Sequence, residues 1–106
     1  MILSILIRKT RLTDRAQWEA ALAKAISRIN GVLGGHSGFV SVQYLWSVDE
    51  PGRFAQITTW QTEDDCLRYV RKGGAATVAT IEEAAVPTAP YPDGAWTRAN
   101  FQATGL

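Results

Sequence analysis

Four short runs of aliphatic, β-branched and aromatic residues alternate with two helical segments along the chain, and this order constrains the fold more than any other feature. Residues 2–9 form the first run, in which successive side chains fall on opposite faces as in a strand. Residues 39–47 and 53–60 form the next two, and the turn-forming segment 48–52 joins them as an antiparallel hairpin. Residues 95–103 are predicted as the last strand.

The first helical segment follows Thr13, which we predict as its N-cap, and ends at Gly34-Gly35. Its alanine-rich sequence carries one apolar stripe in steps of three and four residues, as expected of a single amphipathic helix. The stripe consists of Trp18, Leu22, Ala25, Ile29 and Val32.

The second helical segment opens on Thr62-Glu63-Asp64-Asp65, which has the outline of a capping box with Asp at its last position. We predict a helix from there to about Lys72, an interruption at Gly73-Gly74 and a further helical stretch at 75–85. Pro87 and the prolines after it prevent this helix from continuing.

The element order is therefore βαββαβ, which predicts an α+β fold with one antiparallel sheet and both helices on one of its faces. A chain of 106 residues is long enough for one core and buries roughly two-thirds of the surface that its unfolded form exposes. We predict a single domain over residues 1–106.

The two faces of the predicted sheet differ in composition. The alternate strand positions that form one face carry only aliphatic and aromatic side chains, and this is called the dry face: Leu3, Ile5, Ile7, Val40, Val42, Tyr44, Trp46, Ala55, Ile57, Ala99 and Phe101. The other mixes large apolar groups with polar ones: Ile2, Ser4, Leu6, Arg8, Phe39, Ser41, Gln43, Leu45, Phe54, Gln56, Thr58, Trp60, Trp96, Arg98, Asn100 and Gln102. A dry face of this extent is larger than a soluble monomer exposes, so we predict that a second copy covers it in a homodimer. The mixed face suits the lining of a ligand cavity.

Charge and composition exclude several classes of function. Eleven Lys and Arg against ten Asp and Glu leave a formal net charge of +1, too little for a general attraction to nucleic acid or an anionic membrane. Cys66 is the only cysteine and His36 the only histidine, so we expect neither an internal disulfide nor a zinc site. No apolar run approaches the ~20 residues that span a bilayer. In a signal peptide, basic residues precede the apolar run, whereas here Arg8 and Lys9 follow it. We therefore expect a cytoplasmic protein.

Three segments carry a recognisable pattern: Gly38-Phe39-Val40-Ser41-Val42, Asp49-Glu50-Pro51-Gly52-Arg53-Phe54 and Thr59-Trp60-Gln61-Thr62-Glu63-Asp64. Together they resemble the antibiotic biosynthesis monooxygenase (ABM) domain family of the dimeric α/β barrel superfamily. The resemblance extends over nearly the whole chain in element order and over residues 38–70 in detail. Its most specific part is the hairpin that ends in Trp60 and is followed by a capped acidic helix start.

The resemblance implies a ferredoxin-like monomer that dimerises through its sheet into a dimeric α/β barrel, with a ligand cavity between each sheet and its helices. It also implies that Trp60 lies in the cavity wall. Some relatives oxidise anthrones or other phenolic compounds with O₂ and neither metal nor flavin, and others degrade haem or have no known activity. A cofactor-free oxygenase must deprotonate its substrate, stabilise the anion and keep the cavity dry.

Eight residues are candidates for this chemistry. Trp60 and Tyr69 would supply an aromatic wall and a donor, and His36 is the side chain that accepts a proton near neutral pH. These three are the predicted catalytic residues. Substrate binding is predicted for Gln56, Asn100 and Arg71, with Arg68 and Arg98 as further candidates.

Each candidate also has a purely structural interpretation. Trp60 and Tyr69 also fit an apolar core, Gln56 fits a plain hydrogen bond at the sheet end, and the arginines fit solvated helix charges. Cys66 is expected to be a buried, unreactive thiol.

The leading prediction is a cofactor-independent monooxygenase acting on a small aromatic, quinol or polyketide-type substrate, without metal or other cofactor. The alternative is a non-catalytic ligand-binding dimer. Haem binding comes third, because residues 63–86 lack the histidine that haem-degrading relatives carry there.

Overall fold

The N-terminal apolar run forms a central strand, β1 (Ile2–Lys9), in which every second side chain is buried. In the computed structural model, which describes residues 1–89 and 97–106, β1 pairs with β3 (Arg53–Trp60) on one side and β4 (Thr97–Gln102) on the other. The remaining strand, β2 (Phe39–Trp46), pairs with β3. Every pairing is antiparallel, and the strand order β2-β3-β1-β4 is that of a ferredoxin-like fold. The first two residues of the predicted strand 95–103 lie outside the described residues.

Four helices of the described residues lie on one side of the sheet: α1 (Arg15–Ala23), α2 (Ile26–Gly34), α3 (Glu63–Arg71) and α4 (Gly74–Ala85). Their buried side chains join those of β1 and β3 in one apolar core. The core includes Ile2, Trp18, Leu22, Ile29, Leu33, Phe54, Trp60, Tyr69 and Val78. The predicted α+β architecture is confirmed.

The first helical segment is two helices, not the continuous helix that its stripe predicted. The amide of Ala25 donates to the carbonyl of Leu22 at 2.9 Å, an i to i−3 bond that tightens the chain between α1 and α2. No glycine or proline marks this break in the sequence. The stripe stays buried across it, except that Leu33 and not Val32 is its last fully buried member.

The N-cap of α1 is Asp14, one residue after the predicted Thr13. The Asp14 carboxylate accepts the Gln17 amide at 3.2 Å. A carboxylate at this position also interacts favourably with the positive end of the helix dipole, which explains why Asp14 caps in preference to the neighbouring threonine.

The second helical segment follows its prediction closely. Thr62 caps α3, where its hydroxyl accepts the Asp65 amide at 3.1 Å. Gly73 has φ +83°, a left-handed conformation that favours glycine, and it separates α3 from α4.

From Ser41 onward, the faces of β2 are the reverse of the prediction, whereas Phe39 lies on the helix side as predicted. The turn sets the register, because the Ser47 amide donates to the Arg53 carbonyl at 2.9 Å and places Trp46 opposite Phe54. A register irregularity between Phe39 and Ser41 shifts the start of the strand. The helix side of β2 therefore carries Val42, Tyr44 and Trp46.

The face of the sheet opposite the helices is called the open face below. Its apolar residues are Leu3, Ile5, Ile7, Leu45, Ala55, Ile57, Ala99 and Phe101. Because the helices pack on the other side, Leu45 and Phe101 are 43% and 56% exposed in the single chain. Ser41 and Gln43 make the β2 end of this face more polar than predicted.

None of the helices within the described ranges is long and apolar enough to cross a membrane. Within residues 1–89 and 97–106, no group of three or more His, Cys, Asp and Glu side chains is placed to hold a metal ion.

Candidate functional site

Four aromatic rings form a contiguous row between the sheet and α3, called the aromatic row below: Phe39, Trp60, Tyr69 and His36. The centroids of Trp60 and Tyr69 lie 4.7 Å apart with the ring planes tilted by 32°. His36 meets Tyr69 edge-on at 5.0 Å, and Phe39 meets Trp60 at 5.6 Å. The structure therefore brings together the three residues predicted as catalytic, although they come from a loop, a strand end and a helix.

Local structure explains this meeting. Trp60 is the last residue of β3 on the helix side, and Tyr69 lies on the buried face of α3. Gly74 begins α4 directly against both rings, since a Cβ there would lie 2.6 Å from His36 Nε2 and closer still to the Tyr69 ring. A side chain at position 74 would force the row apart.

The polar atoms of the row have defined partners or states. The Trp60 indole N–H donates to Thr58 Oγ1 at 2.9 Å inside the core, so Trp60 acts as an apolar wall. Burial raises the pKa of Tyr69 to about 12, which keeps its phenol protonated and able to donate at neutral pH. The Tyr69 ring thus lies in edge-on contact with the His36 imidazole.

The His36 end of the row opens into a cleft of about 270 Å³, called the His36 cleft below. Its lining consists of Gly35, His36, Ser37, Asp65, Arg68, Tyr69 and Lys72. Arg68 Nη1 donates to Asp65 Oδ1 at 3.1 Å. The hydroxyl of Thr62 donates to the other oxygen of Asp65 at 2.8 Å.

Gln56 lies in a second polar group, called the Glu82 network below: Arg8, Tyr44, Gln56 and Glu82. All of its members are buried except Tyr44, which is half-buried. Its centre is the Glu82 carboxylate, which has an ion pair to Arg8 Nη1 at 2.6 Å and accepts the Tyr44 hydroxyl at 2.6 Å. Gln56 Nε2 also donates to Glu82, at 2.5 Å. Burial is the main cause that raises the pKa of Tyr44. Burial also lowers the pKa of Arg8, although the nearby Glu82 carboxylate acts to raise it.

The other predicted residues lie further out. Asn100 is exposed on the edge strand β4, and Arg71 is exposed at the end of α3. Arg98 donates from Nη1 to the buried Ser4 hydroxyl at 2.9 Å. Burial raises the pKa of the Cys66 thiol, which agrees with an unreactive cysteine.

The sequence interpretation missed Arg8, Tyr44 and Glu82 as a group. A signal was present, because Arg8 follows Ile2, Ser4 and Leu6 on the helix side of β1 while Glu82 follows Val78 by one helical turn on the buried side of α4. Opposite charges on two apolar stripes that the fold brings face to face indicate a buried pair.

An apolar cleft of about 300 Å³ lies beside the Glu82 network. Its lining is Trp18, Glu19, Leu22, Ala23, Ile26 and Tyr44. Buried side chains such as Phe54 and Gln56 fill the space between this apolar cleft and the aromatic row, so the two clefts are separate.

Topology and site together define an α+β protein of ferredoxin-like fold with an aromatic and polar layer between sheet and helices. Solved structures of this fold include a candidate antibiotic biosynthesis monooxygenase from Bordetella bronchiseptica, which is 17% identical with a TM-score of 0.68, covering 97% of this chain and 96% of that one. SnoaB, a cofactor-independent oxygenase from Streptomyces nogalater, is 19% identical with a TM-score of 0.58, covering 97% and 93%.

A third similar structure, a candidate antibiotic biosynthesis monooxygenase from Deinococcus radiodurans, is 12% identical with a TM-score of 0.63, covering 98% of this chain and 93% of that one. No family model matches the chain, and no curated protein matches it significantly. The resemblance predicted from the sequence is therefore confirmed at the level of the fold: this chain folds as the antibiotic biosynthesis monooxygenase structures do.

Proposed function

We propose that the protein is a cofactor-independent monooxygenase acting on a small aromatic or polyketide-type substrate. The observation that supports the proposal is the aromatic row, because the single imidazole of the chain contacts the ring of the buried Tyr69 edge-on at the base of a cleft. The likeness of the fold to SnoaB, which is described as a cofactor-independent oxygenase, supports the same reaction class.

The proposed reaction oxidises an activated methylene between aromatic rings to a carbonyl: R₂CH₂ + O₂ → R₂C=O + H₂O. A base first removes one C–H proton, and the resulting carbanion, stabilised as an enolate, transfers one electron to O₂. Recombination forms a C–O bond, and protonation yields a hydroperoxide. Loss of water from this hydroperoxide breaks the O–O bond and leaves the ketone. The substrate supplies all four electrons, so the reaction needs no external reductant.

The residues take the following roles in this proposal. His36 accepts the C–H proton and returns it to the peroxide, since an imidazole exchanges protons near neutral pH. The Tyr69 phenol donates a hydrogen bond to the developing enolate oxygen. Trp60 forms an apolar wall that excludes water from the anion. Gln56, Asn100 and Arg71 remain predicted substrate-binding residues.

We further propose that the protein works in the cytoplasm as a homodimer joined through the open face. The proposal is supported by the continuous apolar surface on β1, β3 and β4, because an exposed patch of this kind is typical of a protein interface. A two-fold contact would cover the face on both copies at once.

Oxygen consumption tests the reaction. We expect O₂ uptake with anthrone after treatment with EDTA and without added flavin, with the ketone formed in equal amount. His36→Gln is expected to lower kcat by about 10²- to 10⁴-fold, as the loss of a general base does. Lys24→Gln, an exposed change on the far side of the helices, serves as the control with full activity.

Two results would contradict the proposal. Uptake no faster than the anthrone blank, with binding retained, would assign the protein to the non-catalytic ligand-binding class. Full activity in a Trp60→Phe, Tyr69→Phe double variant would remove the aromatic row from the site.

A further inference from the structure

The His36 cleft has an excess of basic groups over acidic ones. His36 comes from the loop after α2, and Arg68 and Lys72 lie one turn apart at the end of α3. Asp65 is the acidic residue in the lining, and both of its oxygens are engaged, one by Arg68 and the other by Thr62. Because a guanidinium has five N–H donors, an Arg68 that donates to Asp65 through Nη1 keeps capacity for a second acceptor.

The base of the same cleft is aromatic. Tyr69 lines the base of the cleft but is only 1% exposed and packs on Trp60. The aromatic ring that a ligand entering from solvent meets is therefore the half-buried imidazole of His36, which contacts Tyr69 edge-on. A volume of about 270 Å³ is well above the roughly 150 Å³ that holds a benzene molecule, so it leaves room for a fused-ring ligand that extends out of the open cleft. Size and lining together fit a small aromatic molecule with a negative charge at one edge.

We propose that the His36 cleft binds small aromatic anions, with Arg68 and Lys72 recognising an ionised carboxylate or phenolate while the ring lies against the half-buried imidazole of His36. Anion binding at the cleft is independent of the proposed monooxygenase function. Only the identification of this anion as the substrate rests on that function. Charge recognition here would hold the acidic edge of the ligand beside the imidazole of His36.

Proton NMR of the wild-type protein tests the site directly, since the imidazole signals of the one histidine need no assignment. The probes are 2-naphthoate, 4-nitro-1-naphtholate and the uncharged 2-naphthamide, at a pH where both acids are ionised. We expect saturable shifts of the His36 signals with at least one anion and at least tenfold weaker binding of the amide. The anion that binds tighter identifies carboxylate or phenolate as the preferred group.

Charge variants give the second arm. Arg68→Gln and Lys72→Gln are each expected to weaken anion binding about two- to fivefold, the effect of losing one partly exposed charge pair. Asp65→Asn keeps the shape of the side chain and removes the negative charge, so it is expected to tighten binding. Arg15→Gln is the matched control for Arg68, because Arg15 also has an ion pair with an acid on its own helix, and Lys24→Gln is the control for Lys72.

The proposal is overturned if the amide binds as tightly as the anions, if neither anion shifts the His36 signals, or if the controls weaken binding as much as Arg68→Gln does. Its failure is separable from that of the proposed function. Oxygen uptake with no perturbation of His36 by either anion would refute the cleft alone. Anion binding without any uptake would refute the monooxygenase alone.

Discussion

A buried carboxylate such as that of Glu82 is stable only with partners close enough to replace water. Arg8 supplies the charge, and Tyr44 and Gln56 supply hydrogen bonds to the same group. Removing one member of a buried ion pair is costly, whereas replacing both by apolar side chains is often neutral. The Glu82 network therefore links β1, β2, β3 and α4 through one side chain.

Arg8→Met is expected to lower the free energy of unfolding by about 3–5 kcal/mol, because it leaves the Glu82 carboxylate buried without its ion-pair partner. The Arg8→Met, Glu82→Met double variant should recover most of that loss. Urea denaturation measures both, with Arg15→Gln as an exposed control that changes stability by less than about 0.5 kcal/mol. A double variant less stable than the single one would contradict the pairing.

Stability is also expected to fall at high pH through Tyr69. Its pKa is raised from the ordinary 10.0 to about 12 in the folded chain. The unfolded chain therefore loses this proton first, and the stabilisation present below pH 10.0 is lost as the pH rises to about 12. Urea denaturation between pH 8 and 11 should show this decline, and Tyr69→Phe should make it shallower. An equal slope in the variant would show that Tyr69 is not the cause.

Three of the four residues of the aromatic row could be named as candidates from the sequence: Trp60 through the family resemblance, and His36 and Tyr69 because imidazole and phenol groups can exchange or donate protons. Phe39 was not among the candidates. The Glu82 network was harder to predict: its charges lie on two apolar stripes, but their pairing follows only once the topology brings Arg8 of β1 and Glu82 of α4 face to face between sheet and helices.

Among the elements, α4 can pack closely against the aromatic row because its first residue is Gly74. Gly74 lies where any Cβ would collide with Tyr69 and His36, so the helix approaches the aromatic row only because the side chain is absent. The geometry of the candidate site thus depends on a residue with no functional group.

Gly74→Ala is expected to destabilise the fold by about 1–3 kcal/mol, as overpacking of a filled core does. It should also shift the NMR signals of His36. Gly31→Ala is the matched control, because position 31 is helical with nothing within 4 Å of an added Cβ, and it should stabilise the protein by about 0.4–1 kcal/mol. Equal effects of the two substitutions would contradict the close packing at Gly74.

Element types and order could be predicted because they follow from local periodicity and from glycine and proline. The faces of β2 could not, since the register set by the Ser47 and Arg53 contact decides which parity faces the helices. The packing of Trp46 against Trp18 then favours that arrangement. The break between α1 and α2 likewise comes from packing and leaves no mark in the sequence.

On the scale of the whole molecule, the open face is an apolar sheet surface that none of the described helices covers. Its apolar side chains lie on β1, β3 and β4, while β2 contributes Ser41 and Gln43. In the proposed homodimer, the second copy would therefore bury the β1 region of the open face most deeply.

Ile57→Lys, at the centre of the open face, is expected to convert the proposed dimer to single chains at micromolar concentration, because the ammonium would have to be buried against the partner. Sedimentation velocity measures the change. Val48→Lys, in the exposed hairpin turn, is the control that should leave the dimer intact. Single chains already in the wild-type protein would refute the homodimer.

The contact of Trp18 with Trp46 has a spectroscopic consequence. Two indoles with centroids 5.0 Å apart and planes at 40° couple their electronic transitions, and non-parallel coupled chromophores produce a pair of circular-dichroism bands of opposite sign. Because one indole belongs to α1 and the other to β2, this doublet exists only while helix and hairpin are docked. It provides an intrinsic optical signal for that docking, without any label and independent of turnover.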